Sequence, residues 1–261
     1  MPRWFSVERG CRVIERRPVS VSGVGLLSPA GIGLEGLSAG GDGGTVPGFR
    51  ARNYVADRKS LKLMTVAVQL GVSAVQMALD DDGDWSDVPP ERRGIYVGAS
   101  PQTGDPDALR PALEASMGVS GFDMKKFAAD GFPLIHPLWL VRGLSNNIIG
   151  FAAAIHDLQG VNANYCDGIA GGVNALREGA LAVAEGRADL VVAGGADAWS
   201  GGSALLDGAP CGDGAAFVVF RAGGPDVLPK VEALSERSGE GPFLGSATVP
   251  VAFCKNLLKS R

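Results

Sequence analysis

Gly186-Arg187-Ala188-Asp189-Leu190-Val191-Val192-Ala193-Gly194-Gly195-Ala196-Asp197 decides how the chain folds. Leu190–Ala193 is an uninterrupted apolar run that stops at two glycines, so it reads as a buried strand ending at Gly194-Gly195. Just before it, Ile169, Val173, Leu176, Ala180 and Val183 recur at helical spacing, and Gly186 closes that helix. Before the helix, Val161–Cys166 is a short extended run. Strand, helix and strand joined by short glycine turns form a βαβ unit, whose strands pair in parallel and whose crossover packs a helix on the sheet. The fold class is therefore α/β, with a mixed, mostly parallel β-sheet covered by helices.

The same grammar extends both ways. Val19–Val24 reads as a strand, and Ile95–Val97, between Gly94 and Gly98, as another. Ala215–Phe220 and Val227–Leu234 read as two more. Leu61, Met64, Val68, Val72, Val75 and Leu79 give Arg58–Leu79 a helical period. Leu109–Met117 and Leu138–His156 read as helices separated by Pro133 and Pro137. Gly31–Gly48 is glycine-rich and loop-like, and Ser235–Arg261 shows no period.

Composition removes several function classes. With 261 residues, 46% hydrophobic and 20% charged, the chain is globular and has volume for a packed core. A formal charge of −4 argues against nucleic acid as the main partner. Cys11, Cys166, Cys211 and Cys254 are scattered, with no C-x-x-C pair, and the two histidines are His136 and His156. No metal site and no cofactor is expected from this inventory. Charges at Arg3, Glu8, Arg12, Glu15, Arg16 and Arg17 interrupt every early apolar run, so no signal peptide is read. Arg142, Asn146 and Asn147 interrupt Leu138–Ile155, so no membrane span is read. Free thiols in a reducing cytoplasm are the simpler expectation.

Three motifs bear on chemistry. Gly23-Val24-Gly25 follows a strand, but Ser28 stands where a dinucleotide loop needs its third glycine, so a tight strand-exit turn is expected. Asp80, Asp82, Asp84 and Glu91 have calcium-loop spacing, but Trp85 stands where that loop needs glycine. A solvated acidic helix end is expected instead. Asn164-Tyr165-Cys166-Asp167-Gly168-Ile169 lies between a strand and a helix. A helix N-terminus presents free N–H groups and a positive dipole end, which activate a thiol and hold an oxyanion. Cys166 is a nucleophile candidate there, with Asp167 and His136 or His156 as companions. Its plainer reading is a small buried apolar residue. His156 ends a helix, where positive charge is favourable.

Several stretches, in order, resemble the N-terminal half of a β-ketoacyl synthase of the thiolase fold. Val19-Ser20-Val21-Ser22-Gly23-Val24-Gly25-Leu26-Leu27-Ser28-Pro29-Ala30-Gly31 is similar to that family's first strand and turn. Gly94–Gly98 is similar to its second strand, and Asn146–Gly160 to the helix before the nucleophile strand. Gly186–Asp197 is the most specific match, and Gly212-Asp213-Gly214-Ala215-Ala216 resembles a later glycine turn. The resemblance implies a thiolase-like half over residues 18–234, an N-terminal extension over 1–17 and a tail over 235–261.

It also implies where the nucleophile belongs. In the family, a catalytic cysteine opens the helix after the nucleophile strand. Gapless counting forward from Gly160 and backward from Gly186 reaches Ile169, which has no nucleophilic atom. Cys166 lies three residues early. The family's two catalytic histidines belong to a C-terminal half outside the match, and the loop between Asp197 and Gly212 is short. The reading is a non-catalytic ketosynthase-like subunit, chain-length-factor-like or stabilising, in fatty acid or polyketide-type chain assembly. The alternative is an acyltransferase or thioesterase using Cys166. Cys166, Asp167, Gly168, Ile169, Gly194 and Gly195 are the expected substrate or interface residues. The partners implied are a second copy or a ketosynthase-type chain, with an acyl carrier protein meeting Arg58, Lys59 and Lys62. A half-fold also leaves a sheet face needing cover from the tail, a second copy or another chain, so an oligomer is expected.

Overall fold

The structure is a computed structural model that describes residues 15–33, 43–101, 106–200, 208–236 and 242–258. Residues 1–14, with Cys11, lie outside these, as do residues 34–42 of the expected glycine-rich loop and 201–207 after Asp197. The strands are β1 Val19–Ser28, β2 Gly31–Ile32, β3 Arg93–Gly98, β4 Met117–Gly118, β5 Gly121–Phe122, β6 Asn162–Tyr165, β7 Leu190–Ala198 and β8 Asp213–Ala222. The helices are α1 Arg58–Leu61, α2 Val66–Asp82, α3 Arg110–Ala115, α4 Met124–Lys126, α5 Trp139–Arg142, α6 Asn147–His156, α7 Ile169–Ala184, α8 Leu228–Glu232 and α9 Thr248–Leu258. Among the described residues, no helix is long and apolar enough to cross a membrane.

The main sheet runs β2-β1-β8-β7-β3-β6. β3 pairs in parallel with β6 and β7, and β8 lies antiparallel between β7 and β1. This is the mixed, mostly parallel sheet expected. Side chains alternate across it with the period of two that a sheet imposes. Leu27, Ile95, Val97, Val192, Phe217 and Val219 face α2 and α6. Leu26, Tyr96, Val191, Val218 and Phe220 face α7, α8 and α9.

The structure corrects the sequence at several elements. Gly23 and Gly25 sit inside β1 rather than at its exit. A β-carbon at either would overlap carbonyl oxygens of α2, Ala78 O and Ala74 O, so these glycines let helix and sheet backbones touch. Arg58–Leu79 is two helices, because the backbone at Thr65 is extended (φ −70°, ψ 171°) and the link turns Met64 into the core. Leu138–His156 is also two. Asn147 Nδ2 donates to Val141 O at 2.7 Å and Arg142 O at 3.2 Å, satisfying carbonyls at the end of α5. β7 continues through Gly194-Gly195 to Ala198, with both glycines paired to β3 and β8. Val227–Leu234 holds α8 rather than a strand. Pro229 suits a first helical turn, and Asp226 Oδ1 accepts Leu228 N at 3.1 Å.

The acidic helix end is not solvated throughout. α2 runs to Asp82 and stops at Gly83 (φ 89°). Asp81 Oδ2 accepts the Val24 N–H at 2.9 Å, and the Asp82 side chain is buried against Arg221.

The largest correction is the tail. Within it, residues 242–258 form a turn and then α9, whose Val249, Val251, Phe253 and Cys254 are buried. α9 lies on β8, β1 and α7. Of the three covers considered for the sheet face, the tail is the one present, so an oligomer no longer follows from that face.

His156 ends α6 as expected but sits in the core. Its ring meets Trp85 edge-on at 6.4 Å, and Nε2 has no hydrogen-bond partner. Burial holds its pKa below the ordinary 6.5, with Asp80 pulling the other way. The favourable cationic helix end is thus overridden. The unfolded chain takes up this proton below about pH 6.5 while the fold resists it, so stability is intact above 6.5 and falls as pH drops below it. Urea unfolding at pH 7.5 and 5.5 should show a decline of at most about 1.4 kcal/mol per pH unit from this group. His156→Gln should show a shallower decline, and an identical decline would contradict the assignment.

Candidate functional site

The strand β6 ends at Tyr165, and Cys166-Asp167-Gly168 turn the chain into α7. Gly168 caps the helix with φ 57°, a value that favours glycine. Ile169 is the first residue of α7 and is half-buried. Cys166 sits in the turn before the helix, also half-buried, with Asn164 Nδ2 at 3.0 Å from its Sγ. The same Asn164 nitrogen reaches Ser145 Oγ at 3.3 Å. Asp167 is exposed.

Neither histidine joins this turn by a hydrogen bond among the described residues. His136 is exposed, and its Nδ1 accepts the Leu138 N–H at 3.1 Å. His156 belongs with Trp85, as described above. The structure therefore assembles Cys166 with Asn164, and leaves the proposed cysteine–histidine pair unmade. A nucleophile–base pair needs that contact, though apo geometry is often looser than the reacting one.

Gly194 and Gly195 lie in β7, beside Val97 and Gly98 of β3. Gly195 has a definite task. A β-carbon there would overlap Ser246 O, and so would one at Gly172 in α7. The two glycines make a notch that receives the tail's turn. Ser246 Oγ donates to Gly168 O at 2.9 Å, and Ser246 N donates to Asp197 Oδ2 at 2.6 Å. Asp197 Oδ1 accepts the Ser100 N–H at 2.9 Å. Asp197 is almost wholly buried, which pushes its carboxyl pKa up, against the pull of the Ser246 and Ser100 donors. Asp197 ends the stretch that decided the fold, yet its pairing with Ser246 spans 49 residues and left no local signal. Among the described residues, no three His, Cys, Asp or Glu side chains gather as a metal would need.

A βαβ elbow at a helix N-terminus, on a six-stranded mixed sheet with β8 antiparallel between β1 and β7, fits the thiolase-type α/β class that the solved neighbours share. The chain is β-ketoacyl-synthase-like. It is 24% identical over 210 residues to 3-oxoacyl-[acyl-carrier-protein] synthase 2 of Vibrio cholerae, a match covering 70% of this chain and 46% of that one. The corresponding Vibrio harveyi protein gives 24% over 211 residues with the same coverage. The chain spans about half the length of these curated relatives. Among solved structures, it resembles a chain in the complex of a type II polyketide synthase acyl carrier protein with its ketosynthase (TM-score 0.64, 20% identity, 79% of this chain and 63% of that one). It also resembles the ishigamide ketosynthase/chain length factor (TM-score 0.62, 22% identity, 79% and 59%). No family model matches.

Proposed function

We propose that the chain is a non-catalytic ketosynthase-like subunit, chain-length-factor-like or stabilising, in fatty acid or polyketide-type acyl chain assembly. One observation carries this reading: the residue that opens α7 behind the Gly168 turn is Ile169, which cannot accept an acyl group. Relatives named as synthases and a neighbour named as a ketosynthase/chain length factor support the pathway class. Residues 18–234 are taken as the ketosynthase-like unit, with Cys166–Ile169 and Gly194-Gly195 as its substrate or interface region.

The partner in this reading is a ketosynthase-type chain, or a second copy. Among the described residues β6 is an edge strand, with backbone groups on its outer side open to pairing. Apolar side chains crowd the surface between α3 and α6, among them Met117, Phe122, Met124, Phe132, Leu134 and Leu140. The Asn164–Ser145 contact joins that segment to β6. Such a surface suits a protein interface. An acyl carrier protein is the second partner. Arg58, Lys59 and Lys62 are exposed, while Asp57 is engaged in capping α1 through Lys59 N and Ser60. Cys166, Cys211 and Cys254, outside any disulfide among the described residues, fit a cytoplasmic setting.

The test combines co-expression and mass spectrometry. With a ketosynthase from the same gene neighbourhood, a stable complex is expected. After incubation with an acyl thioester, no adduct is expected on this chain under conditions that acylate the ketosynthase. An adduct on Cys166 that disappears in Cys166→Ala would replace this reading with the acyltransferase or thioesterase alternative. A monomer with no complex would remove the subunit role.

A further inference from the structure

The C-terminal segment does more than cover the sheet. Phe243 brings it in alongside Cys211: Phe243 N donates to Pro210 O at 2.8 Å and Gly212 N donates to Phe243 O at 3.0 Å. Trp199 meets the Phe243 ring edge-on at 5.1 Å. The chain then turns at Gly245 (φ 53°) and delivers Ser246 to a point where four segments meet. Through Asp197, Ser246 is tied to the end of β7 and to Ser100 just beyond β3. Through its hydroxyl, it is tied to the Gly168 carbonyl in front of α7. Ser246 and Asp197 are both essentially excluded from water.

We infer that residues 242–258 act as an intramolecular latch, in which the Ser246 hydroxyl holds the Cys166–Ile169 turn in place from across the fold. Three features support this beyond simple packing. The hydroxyl donor goes to the cap carbonyl of α7, not to the tail's own backbone. Among the described residues, the other hydrogen bond to that carbonyl comes from Gly171 N at 3.0 Å, in the first turn of α7 itself. The notch at Gly172 and Gly195 admits no β-carbon, so the tail's turn sits at one depth. A buried polar contact of this kind fixes a unique arrangement because the alternative leaves its groups unpaired. Ser246 is thus a positioning residue for the turn. The inference stands whether or not Cys166 ever meets an acyl group.

Cys166 is a reporter inside the latched turn. The experiment uses the full chain in three forms: unaltered, Ser246→Ala and Val249→Ala. Ser246→Ala removes the hydroxyl bond and keeps the backbone bond to Asp197. Val249→Ala weakens tail packing without touching either bond. Iodoacetamide labelling, read peptide by peptide, gives the rate at Cys166, and hydrogen exchange gives the opening of residues 167–172. Ser246→Ala should raise both by about threefold to tenfold, the factor one lost hydrogen bond represents. Labelling of buried Cys211 and Cys254 should stay slow, and Val249→Ala should leave the Cys166 rate within twofold. An unchanged Cys166 rate in Ser246→Ala would overturn the inference. An equal rise in Val249→Ala would also overturn it, since the turn would then follow tail stability alone.

Discussion

A chain ending at residue 236 is expected to lose its cooperative fold. Residues 242–258 bury Leu244, Val249, Val251 and Phe253 almost completely. Their burial is worth about 1.5–3 kcal/mol each, so about 6–12 kcal/mol in all. Freed chain entropy offsets part of that loss. Nothing offsets the second effect, which is a bare face. The cluster formed by Val218, Phe220, Leu176 and Ala180 would lose the tail side chains packed into it. A domain whose net stability is about 5–15 kcal/mol does not absorb both changes. The truncated protein should bind a hydrophobic dye, lose near-ultraviolet circular dichroism and melt without a sharp transition. A truncated chain that stays monomeric and melts within a few degrees of the full chain would show the tail to be dispensable. The outcome also bears on assembly. If the truncated chain is rescued by a ketosynthase-type partner, the tail and the partner compete for one face.

The sequence already displayed the part of the fold where apolar period and glycine punctuation agree. β6, α7, β7 and β8 satisfy both, and each is present where its residues placed it, although β7 runs on past the two glycines read as its end. α9 satisfies only one. Leu244, Ala247, Val251 and Cys254 recur at helical spacing, but Gly245, Ser246, Thr248 and Pro250 mask the pattern. Pro250 falls in the first turn of the helix, where a missing N–H costs no bond. α8 fails for a different reason. Five residues, Leu228–Glu232, carry no decisive period, and the Asp226 contact to Leu228 N and the position of Pro229 distinguish helix from strand.

The site divides in the same way. The family resemblance, counted without a gap from Gly160 and Gly186, is what assigns the nucleophile position to Ile169. The structure puts it first in α7, while Cys166 remains in the turn. The Asp197–Ser246 pair was invisible because tertiary packing creates it and no local spacing encodes it. Neighbouring sequence does not encode the surroundings of the histidines, and His156 takes the structural role that is the commoner one for such a residue. His156 does end its helix, but its surroundings are set by Trp85 and by the core around α2.

Arg221→Met is expected to destabilise the protein by about 3–5 kcal/mol, the cost of stranding a buried charge. Arg221 lies near the end of β8, and Asp82 is the last residue of α2. The guanidinium grips the carboxylate with two donors, Nε to Oδ1 at 3.0 Å and Nη2 to Oδ2 at 2.7 Å. The Asp82 side chain is 1% exposed and that of Arg221 23%. The carboxylate has therefore given up its water, and the arginine is what replaces it. Asp87 stands 3.8 Å from the same guanidinium, and the Asp84 carbonyl accepts from Nη2 at 3.3 Å. Removing the arginine leaves this acidic end of α2 without its cation and adds repulsion to the desolvation cost. The converse change behaves differently. Asp82→Leu combined with Arg221→Met takes out both charges and keeps apolar volume, so it should recover most of the loss. Urea unfolding of the two single variants and the double variant closes a mutant cycle. A coupling of at least about 2 kcal/mol is expected for a pair with one fully buried member. A loss under about 1 kcal/mol in Arg221→Met would mean that the pair behaves like an exposed one, and that the α2–β8 joint is held by its apolar contacts alone.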